Sequence, residues 1–169
     1  MFHRASLAFG VLAAGLLCTF PALAQSVRLI GDFRDWSAYA TSEGAGALCF
    51  ALSKPRDINP IPDGYAEAYL YLTNRPAEGV RNEFNLVAGF AFAPDSPATV
   101  TISGRSFDLF TENDAAWLLD PAQSGNLASA MRAGSTLVVE GTSDKGIRIA
   151  QTFSLSGATA ASRAIEGGC

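Results

Sequence analysis

The feature that most constrains the fold is a two-residue alternation of apolar and other side chains that recurs along most of the chain. Leu70 and Leu72 share one side of a segment whose other side carries Tyr69 and Tyr71. Successive side chains of a strand point to opposite faces, so this pattern predicts half-buried antiparallel strands. The predicted strands cover residues 32–40, 47–53, 66–73, 84–92, 100–102, 107–109, 136–141 and 147–155.

Seven or more short strands with frequent turn residues predict a β-sandwich or a closed barrel in one domain. Ser103-Gly104 predicts a tight hairpin turn between two of these strands. Two short helices are also predicted. The first follows Asp120-Pro121 and ends at Gly134, and the second covers residues 158–166.

The first residues have the three parts of a secretory signal peptide. Arg4 supplies the positive charge, residues 5–20 are apolar, and Ala22-Leu23-Ala24 provides small residues for cleavage. We therefore predict that residues 1–24 are a signal peptide, cut between Ala24 and Gln25, and that residues 25–169 form one mature domain. The alternative is a membrane anchor, which needs about 20 apolar residues; Pro21 interrupts the run first.

Cysteine usage predicts one disulfide. The chain has three cysteines, and Cys18 leaves with the signal peptide, so Cys49 and Cys169 remain. Export places this pair in an oxidising compartment, where an even count favours a bond between them. Two free thiols, or pairing between two chains, are the alternatives.

Charge and composition limit the chemistry of the mature domain. The net charge is −4, and no basic cluster is present in the sequence, so a nucleic-acid partner is disfavoured. The single histidine, His3, lies in the signal peptide, which removes Ser–His and Cys–His nucleophile pairs from the mature domain. We expect no catalytic residue, no metal ligand and no cofactor site.

Three weaker patterns in the sequence are compatible with catalysis or metal binding. Glu112 and Asp114 beside Trp117 are compatible with a carboxylate-dependent glycan hydrolase. Ser53-Lys54 would be a dyad only if both side chains met, whereas adjacent strand residues point apart. The loop residues Asp57, Asn59 and Asp63 supply calcium-type oxygens without the spacing of an EF-hand.

The aromatic residues divide into two predicted groups. Seven fall on apolar registers and are predicted to be core: Phe84, Phe90, Phe92, Phe107, Phe110, Trp117 and Phe153. Tyr69 and Tyr71 instead share the polar side of their strand with Glu67. Amphipathic rings in that position favour a recognition surface; a solvated sheet face is the alternative.

A charged segment between two predicted strands is the candidate interaction loop. Its members are Arg75, Glu78, Arg81, Asn82 and Glu83. Arg75 and Arg81 are predicted to contact a partner or to clamp the loop through bidentate pairing with Glu78 or Glu83. A solvated turn is the third interpretation.

Several segments together resemble the invasion-associated locus B family of exported alphaproteobacterial proteins. The resemblance rests on Asp35-Trp36, Cys49-Phe50 and the terminal Cys169, and on the segments 73–83, 87–92, 107–111, 116–118, 130–135, 141–143 and 152–157, which span the mature chain in order. It implies an all-β, immunoglobulin-like β-sandwich located in the periplasm or on the outer membrane. The family takes its name from a member linked to host-cell entry, and no catalytic residue is carried over.

The sequence therefore favours a non-catalytic, exported cell-envelope protein that acts as a binding or structural module. Host-cell interaction is one role that such a module can have. Its expected partner is an envelope or host protein, and its oligomeric state is left open. An envelope assembly or chaperone-like factor is an alternative, because an open sheet edge can add a strand from a client. A carboxylate-dependent glycan hydrolase is the third class.

Overall fold

The structure, a computed structural model, describes residues 26–43 and 46–169. The predicted signal peptide and the Ala24–Gln25 cleavage site lie outside the described residues. The strands are β1 (Arg28–Phe33), β2 (Trp36–Glu43), β3 (Gly46–Ser53), β4 (Asp57–Asn59), β5 (Tyr69–Arg75), β6 (Val80–Val87), β7 (Ala98–Ile102), β8 (Arg105–Glu112), β9 (Ala115–Leu118), β10 (Thr136–Thr142) and β11 (Arg148–Ser154). The helices are α1 (Ser124–Ala133) and α2 (Ala158–Gly168).

All eleven strands form one antiparallel sheet in the order β1-β2-β3-β5-β6-β9-β8-β7-β10-β11-β4. The all-β class, the single domain and the two short helices are confirmed. Ser103 and Gly104, both with positive φ, form the predicted turn between β7 and β8. The predicted strand 32–40 is wrong as one element, because a turn at Arg34 and Asp35 divides it into β1 and β2.

The sheet folds over, so that strands far apart in the strand order contact each other. The indole nitrogen of Trp36 in β2 donates to the carbonyl oxygen of Ser154 in β11 at 2.9 Å. The buried amide of Gln151 donates to the carbonyl oxygen of Ala88 at 2.7 Å. Gly157 has a φ of 96°, and a Cβ there would lie 1.7 Å from the carbonyl oxygen of Phe33. Only glycine permits this close approach of the two chain segments.

One hydrophobic cluster fills the interior and draws on both halves of the strand order. It includes Leu72 and Phe84 from one half and Val139 and Phe153 from the other. The inward side of α2, including Ile165, belongs to the same cluster. Neither helix in the described ranges has the length and apolar character that crossing a bilayer requires.

The predicted disulfide is present and ties α2 to the sheet. Cys49 is fully buried in β3, and it is bonded to Cys169, which directly follows α2, across a Cα–Cα distance of 5.8 Å. The bond joins positions 120 residues apart. The last helix is therefore anchored covalently over the core.

Candidate binding surface

The outer side of one half of the sheet carries an unusual concentration of aromatic side chains. We call this surface the aromatic face and define it by six rings on β2, β3, β5, β9 and β8. Each is adjacent to at least one buried residue of its own strand, so it points away from the core. The six are Tyr39, Phe50, Tyr69, Tyr71, Phe110 and Trp117.

Strand pairing places these rings beside one another. Tyr39 lies opposite Phe50, with centroids 5.3 Å apart and an interplanar angle of 20°. Phe110 lies opposite Trp117 with the same separation and an angle of 17°. The Tyr71 ring lies between the two pairs along the sheet, 6.1 Å from Phe50. The rings partly shield one another, which explains why most are half-buried on an outer surface.

The outer side of the other half of the sheet is different. On β7, β10 and β11 the corresponding positions are short, β-branched or charged, and none in this described region is aromatic: Thr99, Thr101, Val138, Glu140, Arg148, Ala150 and Thr152. A single sheet therefore has one ordinary solvated half and one apolar, aromatic half. Exposed aromatic side chains concentrated on one surface mark interaction sites in soluble proteins.

Two of the predicted core assignments are wrong. Phe110 is 43% exposed, and Trp117 is half-buried on the same outer side. Leu109 and Leu118 occupy the inward positions of their strands, so the neighbouring rings must point outward. Of the other predicted core rings, Phe90 is partly buried against the core, and the remaining four are buried: Phe84, Phe92, Phe107 and Phe153.

A shallow, open groove of about 340 Å³ lies between the two stacked pairs. Phe50 forms one wall, Trp117 forms the other, and the outward side chains of β5 and β6 form the floor. The lining residues are Leu48, Phe50, Tyr71, Thr73, Arg75, Glu83, Asn85, Val87 and Trp117. A smaller depression of about 210 Å³ lies beside Trp117, next to Pro121 and Ser124 at the start of α1.

Arg75 and Glu83 close one end of this groove with a bidentate ion pair. The Arg75 nitrogens Nη1 and Nη2 donate to Glu83 Oε2 and Oε1 at 2.7 and 3.1 Å. Nε of Arg75 donates to Glu78 at 2.9 Å. These hydrogen bonds raise the pKa of the Arg75 guanidinium further above its ordinary value. The bonds to Glu83 have the larger effect, and the bond to Glu78 acts in the same direction. Arg75 therefore has the geometry of the predicted clamp.

The loop that holds the predicted interaction residues is shorter than expected. After a single turn over Pro76–Glu78 and a left-handed Gly79, strand β6 begins at Val80. Arg81, Asn82 and Glu83 are thus strand residues rather than loop residues. Arg81 is exposed and forms no ion pair with any described side chain.

Asn82 takes part in the strand pairing of the β5–β6 hairpin. Its φ is 53°, and its backbone N–H donates to Asn74 Oδ1 at 2.8 Å across an irregularity in the β5–β6 pairing. Asn74 is 1% exposed. Its Nδ2 and the Oδ1 of Asn82 are buried and have no hydrogen-bond partner among the described residues. Asn82 therefore shapes the hairpin instead of presenting an amide to a partner.

A second ion pair lies at the Tyr69 end of the aromatic face. Lys54 pairs with Glu67, and its ammonium lies 5.3 Å from the centroid of the Tyr69 ring. The hydrogen bond from Lys54 lowers the pKa of the exposed Glu67 carboxyl, and the bond from Tyr69 acts in the same direction. The hydroxyl of Ser53 points inward and donates to the carbonyl oxygen of Asp35 at 2.7 Å. Ser53 and Lys54 therefore do not form a dyad.

The remaining carboxylates do not converge on one point. Glu112 and Asp114 are exposed at the end of β8 and in the turn that follows it. Within residues 26–43 and 46–169, no group of three or more His, Cys, Asp or Glu side chains is placed to hold a metal ion.

Of the six rings of the aromatic face, the sequence places only Tyr69 and Tyr71 on a polar strand side. Strand pairing brings Tyr39, Phe50, Phe110 and Trp117 beside them. Comparison with known proteins adds no assignment: no protein-family model, no curated protein and no solved structure matches this chain.

Proposed function

We propose that this protein is a non-catalytic, exported cell-envelope module that binds a partner protein through its aromatic face. The observation that carries the proposal is the contrast between the two halves of the sheet, one aromatic and one polar on its outer side. Tryptophan, tyrosine and arginine are the residues most enriched among those that dominate binding energy at protein interfaces. Trp117, Tyr71 and Arg75 all line the groove on this face.

The face is also held firmly enough to act as a binding surface. Its side chains stand on paired strands, and the flanking disulfide and ion pair restrain both β3 and the β5–β6 hairpin. Rigid aromatic rings lose little conformational entropy when a partner binds them. A surface that is rigid before the partner arrives is suited to binding, and it does not require the movement of a lid or loop.

The exported location, the resemblance to the invasion-associated locus B family and the immunoglobulin-like sandwich are parts of the same proposal. The sequence of residues 1–24 supports export, and a disulfide fits an oxidising compartment. One core shared by both halves of the sheet supports two packed layers. Periplasm or association with the outer membrane is the proposed location, and an envelope or host protein is the proposed partner.

Export is tested by expressing the full chain in a bacterial host and measuring the intact mass of the envelope fraction. We expect a chain beginning at Gln25 and lighter by the two hydrogens lost in forming the disulfide. The three-cysteine count gives a second readout: the unfolded, unreduced protein has no free thiol if Cys18 has been removed, and one if it is retained. An unprocessed chain confined to the cytoplasm would contradict the proposed location.

Partner binding is tested by cross-linking capture from envelope extract. We expect one saturable partner with the wild-type chain, and loss of that partner with Phe50→Ala and with Trp117→Ala. Val138→Ala is the matched control, since Val138 is a half-buried outer residue of the polar half. Equal capture by all three variants would contradict the assignment of the site, and capture by none, including wild type, would contradict a protein-binding role.

A chaperone-like assembly factor is a second candidate, favoured by the position of β1. It ends the strand order, and the exposed Val27 and Leu29 lie at its start. Strand addition by a client at this edge would use backbone hydrogen bonds. Preventing aggregation of an unfolded outer-membrane protein is the assay. If the protein prevents this aggregation equally well with and without Trp117→Ala, the chaperone-like function is favoured over partner binding through the aromatic face.

A further inference from the structure

We infer that the groove on the aromatic face receives an extended, proline-containing and basic segment of the partner. This inference rests on the proposed function and names the chemistry of the ligand at that same site. Three properties of the groove support it: its dimensions, the way its walls are built, and the charge around it.

The dimensions suit one extended chain. β5 and β6 lie between Phe50 in β3 and Trp117 in β9, so the two strands are three spacings apart across the sheet, about 14 Å, and the two residues are offset by two positions along it. The floor extends along β5 from Tyr71 to Arg75, which corresponds to roughly 13 Å at the rise of a strand. That length matches about four residues of polyproline II helix.

Each wall is a stacked ring pair with one side turned to the groove. Tyr39 covers one face of Phe50, and Phe110 covers one face of Trp117. Both inner rings, Phe50 and Trp117, line the groove. Tyr71 stands between the two stacked pairs, 6.1 Å from Phe50, so the surface presents a row of aromatic rings of the kind on which the proline rings of polyproline II segments dock.

The floor provides polar groups for the ligand backbone. Polyproline II has no internal hydrogen bonds, so its carbonyl oxygens remain available to a binding surface. The side chains of Tyr71, Thr73 and Asn85 line the trough between the ridges. Asn85 is fixed by donating to the carbonyl oxygen of Ala116 at 3.2 Å. A helix satisfies its own backbone groups and would not use this floor.

Charge around the face selects a basic ligand. Five carboxylates border it: Glu67, Glu78, Glu83, Asp108 and Glu112. Three described cations lie near it: Lys54 and Arg75 are engaged in ion pairs with those carboxylates, and Arg81 is exposed on β6 without an ion pair to a described side chain. The border is therefore net negative, which attracts Arg or Lys and repels polyanions such as nucleic acid.

The test uses tryptophan fluorescence of the mature chain, titrated with a ten-residue synthetic peptide of prolines that has an arginine at each end. The chain has two tryptophans, and Trp36 is buried at 1% exposure, so the response reports on Trp117. We expect a saturable change in emission. Phe50→Ala should weaken the peptide at least about tenfold, the size typical of a binding hot spot. Val138→Ala should bind as the wild type does.

Two control peptides test whether binding depends on the positive charge and on the prolines of the ligand. A peptide with glutamate in place of both arginines should bind more weakly, and a proline-free alanine peptide with the same arginines should not saturate. Equal binding of all three peptides, no response to any of them, or saturation only by a chitin-type oligosaccharide would overturn the inference. If capture of a protein partner still depends on Trp117 in that case, the proposed function stands without it. If capture is also independent of Trp117, both fail.

Discussion

Phe110 and Trp117 lie opposite each other on β8 and β9, with nearly parallel rings whose centroids are 5.3 Å apart. They stack outside the core, because their strand neighbours Leu109 and Leu118 fill the inward positions. A stacked pair at an outer position forms a ridge on the surface of the sheet. The packing of the core does not require this ridge. The proposed function depends on this ridge and on its counterpart, Tyr39 with Phe50.

The two tryptophans are expected to respond differently to truncation. Trp36→Ala removes a ring that is 1% exposed and breaks the bond to the Ser154 carbonyl, so it should cost roughly 3–5 kcal/mol. Trp117→Ala loses a half-buried ring and a cross-strand aromatic pair, and should cost only about 1–2 kcal/mol. Urea denaturation measures both. A loss at Trp117 as large as that at Trp36 would show that the ring is needed for folding rather than for binding.

The two arginines of the predicted interaction site form a second matched pair. Arg75→Ala removes a bidentate bond to Glu83 and a bond to Glu78 from a side chain that is 26% exposed, so a loss of about 1 kcal/mol is expected. Arg81→Ala should change stability by less than about 0.5 kcal/mol, because the side chain is exposed and unpaired among described residues.

Thermal and urea unfolding of both variants, together with partner capture, separate a clamp from a contact. Lost stability for Arg75→Ala with capture restored at lower temperature indicates a clamp. Lost capture for Arg81→Ala with unchanged stability would assign a direct contact to Arg81, and would extend the site beyond the aromatic face. Unchanged stability and capture in both variants would leave a solvated turn.

Much of the strand content was predictable because alternation is a local property. The strands around Leu70, Val100 and Val138 are predicted correctly, and so is the turn at Ser103-Gly104. Trp117 was misassigned for a physical reason. Residues 115–119 are all apolar, so no alternation reveals which side chains of that strand point inward. Pairing with β6 and β8 decides the orientation, and pairing between distant segments is not encoded in any short window.

The candidate site was harder to predict than the fold. Arg75 and Glu83 were singled out by their charge, and their bidentate pairing was among the alternatives. Asn82 looked like an exposed amide, yet its positive φ and its bond to Asn74 belong to an irregularity in strand pairing. Phe50 and Trp117 are far apart in sequence and become the two walls of one groove only through the order β3-β5-β6-β9.

Removing the disulfide should destabilise the domain substantially. Cys49→Ala combined with Cys169→Ala releases α2, whose Ala161 and Ile165 cover the core. A cross-link between positions 120 residues apart is expected to contribute roughly 2–5 kcal/mol, chiefly by restricting the unfolded chain. Urea denaturation of the double variant, compared with wild type under non-reducing conditions, measures this. Equal stability of the two proteins would mean that α2 is held by packing alone.

The central claim, that the aromatic face is the binding surface, is tested most directly by site-specific photo-cross-linking in living cells. A photoreactive phenylalanine analogue is placed at position 110, where the native ring is 43% exposed, and in a second chain at position 138 on the polar half. The account predicts a discrete cross-linked product from position 110 and none from position 138. Products from position 138 alone, or equal products from both, would contradict it.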